Sequence, residues 1–136
     1  IFNIYKFRTM KNNAPVMASN DLSDDYITSI GKLLRKTSVD ELPQLVNVLK
    51  GDMSIIGPRP LIIEEDEIHR LRAENGIYSV RPGITGWAQI NGRDDVEIEE
   101  KVRLDKFYVE NMSVGFDLKI LFGSVFAVLL EKGIKK

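Results

Sequence analysis

The 136-residue sequence has no cysteine and a single histidine, His69. Without cysteine, the chain cannot form disulfides, cysteine metal sites or thiol nucleophiles. One histidine also excludes a histidine-rich metal cluster and leaves little room for a Ser-His catalytic pair. If the protein is an enzyme, its chemistry must therefore depend on carboxylates, lysine, arginine or a bound ion.

An excess of either charge is also missing. The 19 Lys and Arg residues and 20 Asp and Glu residues leave a net charge of -1. Because proteins that bind nucleic acid usually carry a basic surface, we expect no nucleic-acid partner.

Long hydrophobic runs are missing as well. The longest apolar stretch, residues 118–130, is interrupted by Lys119, Gly123 and Ser124. A helix that crosses a bilayer needs about 20 predominantly apolar residues. This stretch is therefore too short to cross a membrane, although it could lie on one.

The length and the hydrophobic pattern predict a single α/β domain over residues 1–136, mainly helical and with short strands. Hydrophobic residues make up 43% of the chain, which is enough for a core, while a second domain of ordinary size would be crowded. The first ten residues alternate apolar and polar like a strand already under way. Since the chain begins with Ile1 rather than Met, we interpret it as a fragment truncated at its N terminus.

Five segments are predicted to be helical from their apolar spacing and their end signals. They are residues 26–36, a short stripe from close to Asp40 up to Gly51, and residues 61–75, 96–111 and 114–132. The stretch YSVRPGITGWAQINGR, residues 78–93, is rich in β-formers and turn glycines and predicts a β-hairpin. The last helix is apolar around much of its circumference, so it needs a partner: the core, a missing segment or a membrane.

Two adjacent carboxylates, Asp40 and Glu41, fall at the predicted start of the second helix, because Pro43 is tolerated only in a first turn. Acids at this position ordinarily cap a helix and favour its positive end, and spacing alone favours that interpretation. The functional alternative is a phosphate site. There, one carboxylate attacks phosphorus to give an acyl phosphate and the other holds Mg²⁺.

Several arginines lie near the acid pair or beside proline and glycine, where the backbone is held in place. They are Arg35, Arg59, Arg81 and Arg93. Arg59 stands between two prolines, and its planar guanidinium suits bidentate phosphate binding better than lysine would. For each arginine alone, an exposed or salt-bridged surface position is the simpler explanation. Together they favour an anion-binding site, and we take them as candidate substrate-binding residues.

Four blocks of the sequence, in this order, closely resemble the bacterial sugar transferase family, the monotopic polyprenyl-phosphate phosphoglycosyl transferases. The blocks are KFRTM, LRKTSVDELPQLVNVLKGDMSIIGPRP, VRPGITGWAQINGR and EEKVRLDKFYVENMS, and they cover nearly the whole chain. The resemblance implies transfer of a phosphosugar from a UDP-sugar to polyprenyl (undecaprenyl) phosphate, with release of UMP. This reaction is the first membrane step of glycan or glycoconjugate assembly.

The resemblance also implies roles for individual residues. The Asp of the DE pair is the nucleophile in the family and forms a covalent aspartyl-phosphosugar, while its Glu binds Mg²⁺; these roles fall on Asp40 and Glu41. The PRP arginine and the basic residues of the KFR and RPG stretches are implied to contact phosphate or nucleotide. These are Lys6, Arg8, Arg59 and Arg81.

The family has an N-terminal hydrophobic helix that dips into the membrane, and we expect the chain to begin after it. Its members also place amphipathic helices at the membrane interface, which implies contact with a membrane surface for residues 114–134. The implied location is the cytoplasmic face of the bacterial inner membrane. The alternative from another class is a non-catalytic peripheral membrane or nucleotide-binding module, whose acids are helix caps and whose last helix docks on a partner.

Overall fold

The structure is a computed structural model that describes residues 1–16, 23–91 and 96–130. In these ranges the chain is mostly helical, with one small sheet. The helices are α1 (Ser29–Thr37), α2 (Gln44–Lys50), α3 (Asp66–Glu74), α4 (Trp87–Ile90), α5 (Ile98–Glu110) and α6 (Val114–Leu129), and the strands are β1 (Ser54–Ile56) and β2 (Gly83–Thr85). Single 3-10 turns lie at Asp24–Tyr26, Val39–Glu41 and Ile77–Ser79.

The sheet corrects the predicted β-hairpin. Strands β1 and β2 run parallel, with Ser54 opposite Gly83 and Ile56 opposite Thr85. The residues after β2 form helix α4 rather than a returning strand. Glycine at position 83 does not serve a turn. A Cβ there would collide with the backbone of Gly57, so glycine allows these two backbone segments to approach closely.

The N-terminal segment is extended, but the predicted strand is wrong. Residues 1–9 belong to no strand, and only Met10 forms a bridge, to Ile27. The segment is held by Asn47 instead, whose Oδ1 accepts from the Tyr5 N–H at 3.1 Å and whose Nδ2 donates to the Asn3 carbonyl at 2.7 Å. The Asn47 amide thus takes the place of a neighbouring strand. An alternating pattern of apolar and polar residues does not distinguish such an extended segment from a strand in a sheet.

Helix α1 begins three residues later than predicted, because Thr28 caps it: its Oγ1 accepts from the Gly31 N–H at 2.9 Å. The helix ends where Ser38 adopts the left-handed conformation, with φ of 59°. This reversal of the backbone starts the 3-10 turn that carries the acid pair. A serine at positive φ is uncommon enough that its placement two residues before Asp40 is a defined feature of the fold.

The second helix also starts later than predicted. Asp40 and Glu41 lie in the 3-10 turn, and α2 begins at Gln44, after Pro43 in the N-cap position, where no side chain caps it. The prediction that this helix begins close to Asp40, and the interpretation of the acids as its caps, are therefore wrong. Its predicted end at Gly51 is confirmed, since that glycine has φ of 87°.

The C-terminal half contains a small core between α3, α5 and the last 3-10 turn. Ile68, Ile77 and Val102 are buried together, and Leu61, Leu71 and Ile98 pack against them. The predicted helix over residues 96–111 is confirmed by α5, whereas α3 begins five residues later than the predicted residue 61. Trp87 of α4 stacks against Phe107 of α5 and contacts Phe116 of α6, which joins the three helices.

Helix α6 confirms the prediction for its described part, and residues 131–136 lie outside the described ranges. Ile120 and Ala127 face the core, but much of the apolar surface is exposed. Phe122 and Phe126 are 63% and 62% exposed, and Leu118, Val125 and Leu129 are exposed with them. No helix in the described parts of the chain has the length and apolar character needed to cross a bilayer. Contact of α6 with a membrane surface stays a prediction.

Candidate active site

A cavity of about 1100 Å³ opens between the N-terminal segment, the 3-10 turn of the acid pair, the sheet and helices α3, α5 and α6. Six of the eight predicted site residues line it. They are Lys6, Arg8, Arg35, Asp40, Glu41 and Arg59. Residues far apart in the sequence are therefore brought to one space, although their chemical roles stay predictions.

Asp40 lines the cavity and is only 7% exposed. Its backbone carbonyl accepts from the Phe7 N–H at 3.0 Å, so the N-terminal segment is docked beside it. Burial and, secondly, the neighbouring Glu41 raise the pKa of the Asp40 carboxyl above its usual range. The charges of Lys6 and Arg35 act in the opposite direction and favour the carboxylate.

Glu41 is more open and lies between two cations. Its Oε1 is 3.4 Å from Lys6 Nζ and 3.9 Å from Arg59 Nη1. The three side chains are 22% to 39% exposed, so water screens these pairs and they stabilise the fold little. They are long and loosely paired contacts, which an incoming phosphate or cation can replace at small cost.

Arg35 and Arg8 lie further along the cavity wall. Arg35 donates from Nε to Thr9 Oγ1 at 3.0 Å, which orients its guanidinium beside the acid pair. Arg8 donates to the Asn12 side chain at 2.6 Å and is exposed.

Two predicted residues do not join this group. Arg81 is exposed and does not line the cavity; its backbone carbonyl packs against Gly57 instead. A phosphate contact from Arg81 within this cavity is therefore not supported by the geometry. Arg93 lies outside the described residues.

The structure adds a buried ion pair that sequence reasoning missed. Arg72 of α3 donates from Nη2 to Asp105 Oδ2 at 2.9 Å, and the two side chains are 5% and 3% exposed. Burial raises the pKa of Asp105, and the Arg72 charge opposes that rise. Both residues line the cavity, and Arg72 also donates from Nη1 to the Arg59 carbonyl at 2.7 Å.

A sequence signal for this pair did exist. Arg72 follows the buried Ile68 by four residues, and Asp105 follows the buried Val102 by three. Such spacings put each charge on the buried face of its helix. Two opposite charges on buried faces need each other, because an unpaired buried charge is costly.

The acid pair is the part of the cavity that could hold a metal ion. Among the described residues, no group of three or more Asp, Glu or His side chains is gathered as in a metal site built by the protein alone. Mg²⁺, however, is commonly bound through one or two carboxylates together with substrate phosphates. Glu41, with Asp40 beside it, fits that kind of shared site.

The cavity lining also includes apolar side chains. Leu42 and Leu45 line the cavity from the first half of the chain, and Leu121, Val125 and Leu129 line it from α6. The Thr85 and Ser124 hydroxyls are hydrogen-bonded to each other, which ties β2 to α6. The cavity lining therefore combines charged and hydrocarbon side chains, as a molecule with a phosphate head and an apolar tail would require.

A family model described as bacterial sugar transferase matches residues 1–131. The chain is 48% identical over 136 residues to the uncharacterized sugar transferase EpsL of Bacillus subtilis (strain 168), which covers 99% of this chain and 66% of that protein.

Two further relatives have more specific names. One is UDP-glucose:undecaprenyl-phosphate glucose-1-phosphate transferase of Escherichia coli (strain K12), 44% identical over 138 residues, covering 95% of this chain and 30% of that protein. The other is undecaprenyl-phosphate galactose phosphotransferase of Salmonella typhimurium (strain LT2), 39% identical over 151 residues, covering 98% of this chain and 31% of that protein. The chain thus spans between 30% and 66% of the length of these three relatives.

Proposed function

Because the chain belongs to the bacterial sugar transferase family, we propose that it transfers a sugar phosphate from a UDP-sugar to polyprenyl (undecaprenyl) phosphate and releases UMP. One observation carries the proposal: a buried carboxylate, Asp40, adjoins Glu41 in a cavity that is lined by basic and by hydrocarbon side chains. The names of two relatives, which state undecaprenyl phosphate, support the choice of acceptor.

The first step is attack by Asp40. A carboxylate oxygen forms a bond to the phosphorus that bears the sugar, and the bond from that phosphorus to the bridging oxygen breaks. UMP leaves with the electron pair, and an aspartyl-phosphosugar remains. Because Asp40 is 7% exposed, little water can reach the acyl phosphate, which protects it from hydrolysis.

The second step regenerates the carboxylate. A phosphate oxygen of the polyprenyl phosphate attacks the same phosphorus, the bond to Asp40 breaks, and the product carries a diphosphate between lipid and sugar. Lys6 and Arg59 lie where they can bind the phosphate oxygens in both steps, since they face the cavity beside Glu41. Charge stabilisation of this kind is the main protein contribution to phosphoryl transfer.

We assign Mg²⁺ to Glu41, shared with the substrate phosphates. When bound, it would neutralise phosphate oxygens and make the phosphorus a better electrophile. Lys6 and Arg59 would then turn from Glu41 to the substrate, because a carboxylate occupied by a cation attracts them less.

We assign the acceptor's hydrocarbon chain to the apolar residues of the cavity lining, and we assign the exposed apolar face of α6 to a membrane surface. Phe122 and Phe126 are more than half exposed on that helix. An apolar helix face of this type can lie in the interface plane of a bilayer.

The test is UMP release by the intact protein from a panel of UDP-sugars, with undecaprenyl phosphate and Mg²⁺. Release with one sugar, and trapping of a labelled covalent adduct, is the expected result, and both should disappear in Asp40→Asn. Asp66→Asn, an exposed acid in the first turn of α3, is the matched control and should behave as wild type. An adduct that persists in Asp40→Asn would contradict the assignment of the nucleophile.

The exposed apolar face of α6 also fits the second candidate, a non-catalytic module that binds nucleotide or membrane. UDP binding by a protein that releases no UMP from any sugar in the panel would favour that candidate. The two are thus separated by one titration and one turnover assay on the same sample.

A further inference from the structure

The loop that carries Arg59 is held in place from outside. Its two prolines have no backbone N–H, so the loop must be fixed mainly through its carbonyl groups. The Pro58 carbonyl accepts from the Gly83 N–H of β2 at 2.9 Å. The next carbonyl, that of Arg59, accepts from Arg72 Nη1 of α3 at 2.7 Å.

Arg72 is itself fixed by a second contact. Its Nη2 donates to Asp105 Oδ2 of α5 at 2.9 Å, and both side chains are almost fully buried. The planar guanidinium thus spans two acceptors, a carboxylate on one side and a main-chain carbonyl on the other. A lysine is a point donor on a flexible stem and does not present this fork.

A buried ion pair is weak support for stability, because desolvation offsets most of the attraction. An apolar pair of similar size would serve the fold about as well. What the ion pair supplies beyond packing is a direction: it points one guanidinium nitrogen at the Arg59 carbonyl.

The Arg59 side chain leads from this anchored carbonyl to the acid pair, with its Nη1 3.9 Å from Glu41 Oε1. We infer that Arg72, held by Asp105, is a positioning residue that places the Arg59 guanidinium at the acid pair. The inference rests on the proposed function, in which Arg59 binds substrate phosphate. A misplacement of about 1 Å at such a group can cost about 100-fold in rate.

The first experiment replaces the ion pair with apolar residues of similar size, Arg72→Met with Asp105→Leu. We expect the thermal midpoint to stay close to that of wild type and kcat for UMP release to fall about 100-fold. The control removes the exposed pair on the same helix, Arg70→Ala with Glu74→Ala, and should leave kcat unchanged. A double variant that folds and turns over at the wild-type rate would overturn the inference.

Arg72→Lys tests the same point where the double variant fails to fold. It keeps a positive charge opposite Asp105 but loses the fork. We expect a folded protein with kcat reduced at least about 10-fold and a smaller change in KM for the UDP-sugar, because alignment suffers more than binding. Wild-type kcat in this variant would likewise count against the positioning role.

The competing explanation is that Arg72 contacts the substrate directly, because its Nε has no hydrogen-bond partner among the described residues. A double-mutant cycle distinguishes this direct contact from positioning of Arg59. If Arg72 acts through Arg59, adding Arg72→Lys to Arg59→Met should cost little further rate. Losses that multiply would show that Arg72 acts independently and would overturn the inference.

The same cycle can be measured as UDP affinity by calorimetry, which needs no turnover. A wild-type protein without UMP release would contradict the proposed function only. UDP binding weakened by Arg72→Lys in the wild-type background, but not in Arg59→Met, would still support the positioning role. Equal weakening in both backgrounds would overturn it.

Discussion

Two groups of charges meet at Arg59, and they differ mainly in their access to water. Arg59 belongs to the first group, and its carbonyl is bound by the second. The Lys6, Glu41 and Arg59 group has side chains 22% to 39% exposed and contacts of 3.4 and 3.9 Å. The Arg72 and Asp105 pair has side chains 5% and 3% exposed and one contact of 2.9 Å. The charges of the first group can therefore exchange their partners, because water or a ligand can replace a lost partner there. The charges of the buried pair cannot, although the residue types are similar.

Removing one member of the buried pair should give the largest change in stability. Asp105→Ala leaves the Arg72 charge buried and unpaired, which costs about 3–5 kcal/mol in free energy of unfolding. Urea denaturation measures this loss. Glu74→Ala removes the acid of an exposed pair on α3 and should cost no more than about 0.5 kcal/mol. Equal effects of the two substitutions would contradict the contrast between the groups.

Glu41→Gln should separate stability from activity in the exposed group. Because its ion pairs are partly solvated, we expect a change in free energy of unfolding below about 1 kcal/mol. On the proposed function, most of the Mg²⁺-dependent rate should be lost, which a titration of UMP release against Mg²⁺ measures. Glu67→Gln, an exposed acid of α3, is the control. An unchanged metal response would remove Glu41 from the ion site.

The raised pKa of Asp40 predicts a small, pH-dependent change in stability. Burial and Glu41 shift the folded-state pKa upward from the ordinary 3.8. Between the unfolded-state and folded-state pKa values, the folded state therefore binds more protons than the unfolded state. The free energy of unfolding contributed by this group is therefore highest below pH 3.8 and falls as pH rises through the folded-state pKa. Asp40→Asn should equal or exceed wild-type stability at pH 7.

Unfolding curves at pH 7 and at about pH 3.5 measure this difference. The advantage of Asp40→Asn should shrink at the lower pH, where the wild-type carboxyl is mostly protonated in both states. Asp66→Asn again serves as the control and should show no such trend. A gain for Asp40→Asn that increased toward acid pH would contradict the direction of the shift.

A small change in stability is also expected on the exposed face of α6. Phe122→Ser with Phe126→Ser removes apolar surface that is mostly solvent-exposed, so the free energy of unfolding should change by less than about 1 kcal/mol. Co-sedimentation with anionic lipid vesicles should nevertheless fall, if this face lies on a membrane. Val16→Ser, exposed but outside α6, is the control. Unchanged sedimentation would contradict the membrane assignment.

The local sequence pattern predicted those helices whose ends and buried faces depend only on residues close in the sequence. The extents of α5 and α6 and the end of α2 at Gly51 follow from spacing and capping chemistry. The hairpin was wrong because glycine has two uses: it permits a turn, and it permits close approach of backbones, as at Gly83. The start of α2 was wrong because Ser38 at positive φ placed a separate 3-10 turn before it.

Most of the site residues predicted from the sequence line the cavity, and their chemical roles stay predictions. Family resemblance identified the acid pair and most of the cations around it, and the family match confirms that resemblance. It did not identify Arg72 and Asp105, and it included Arg81, which does not line the cavity. A motif states which residues recur together, whereas the cavity depends on which side chains face one another.

By itself, the sequence determined the available chemistry and the local conformations. With no cysteine and one histidine, the chemistry had to depend on carboxylates, basic side chains or a bound ion, and flanking prolines restricted the backbone around Arg59. Only the tertiary structure decided that Arg72 meets Asp105, 33 residues away, and that Lys6 meets Glu41, 35 residues away. Contacts at such separations depend on how helices and strands pack, which a local pattern of residues does not specify.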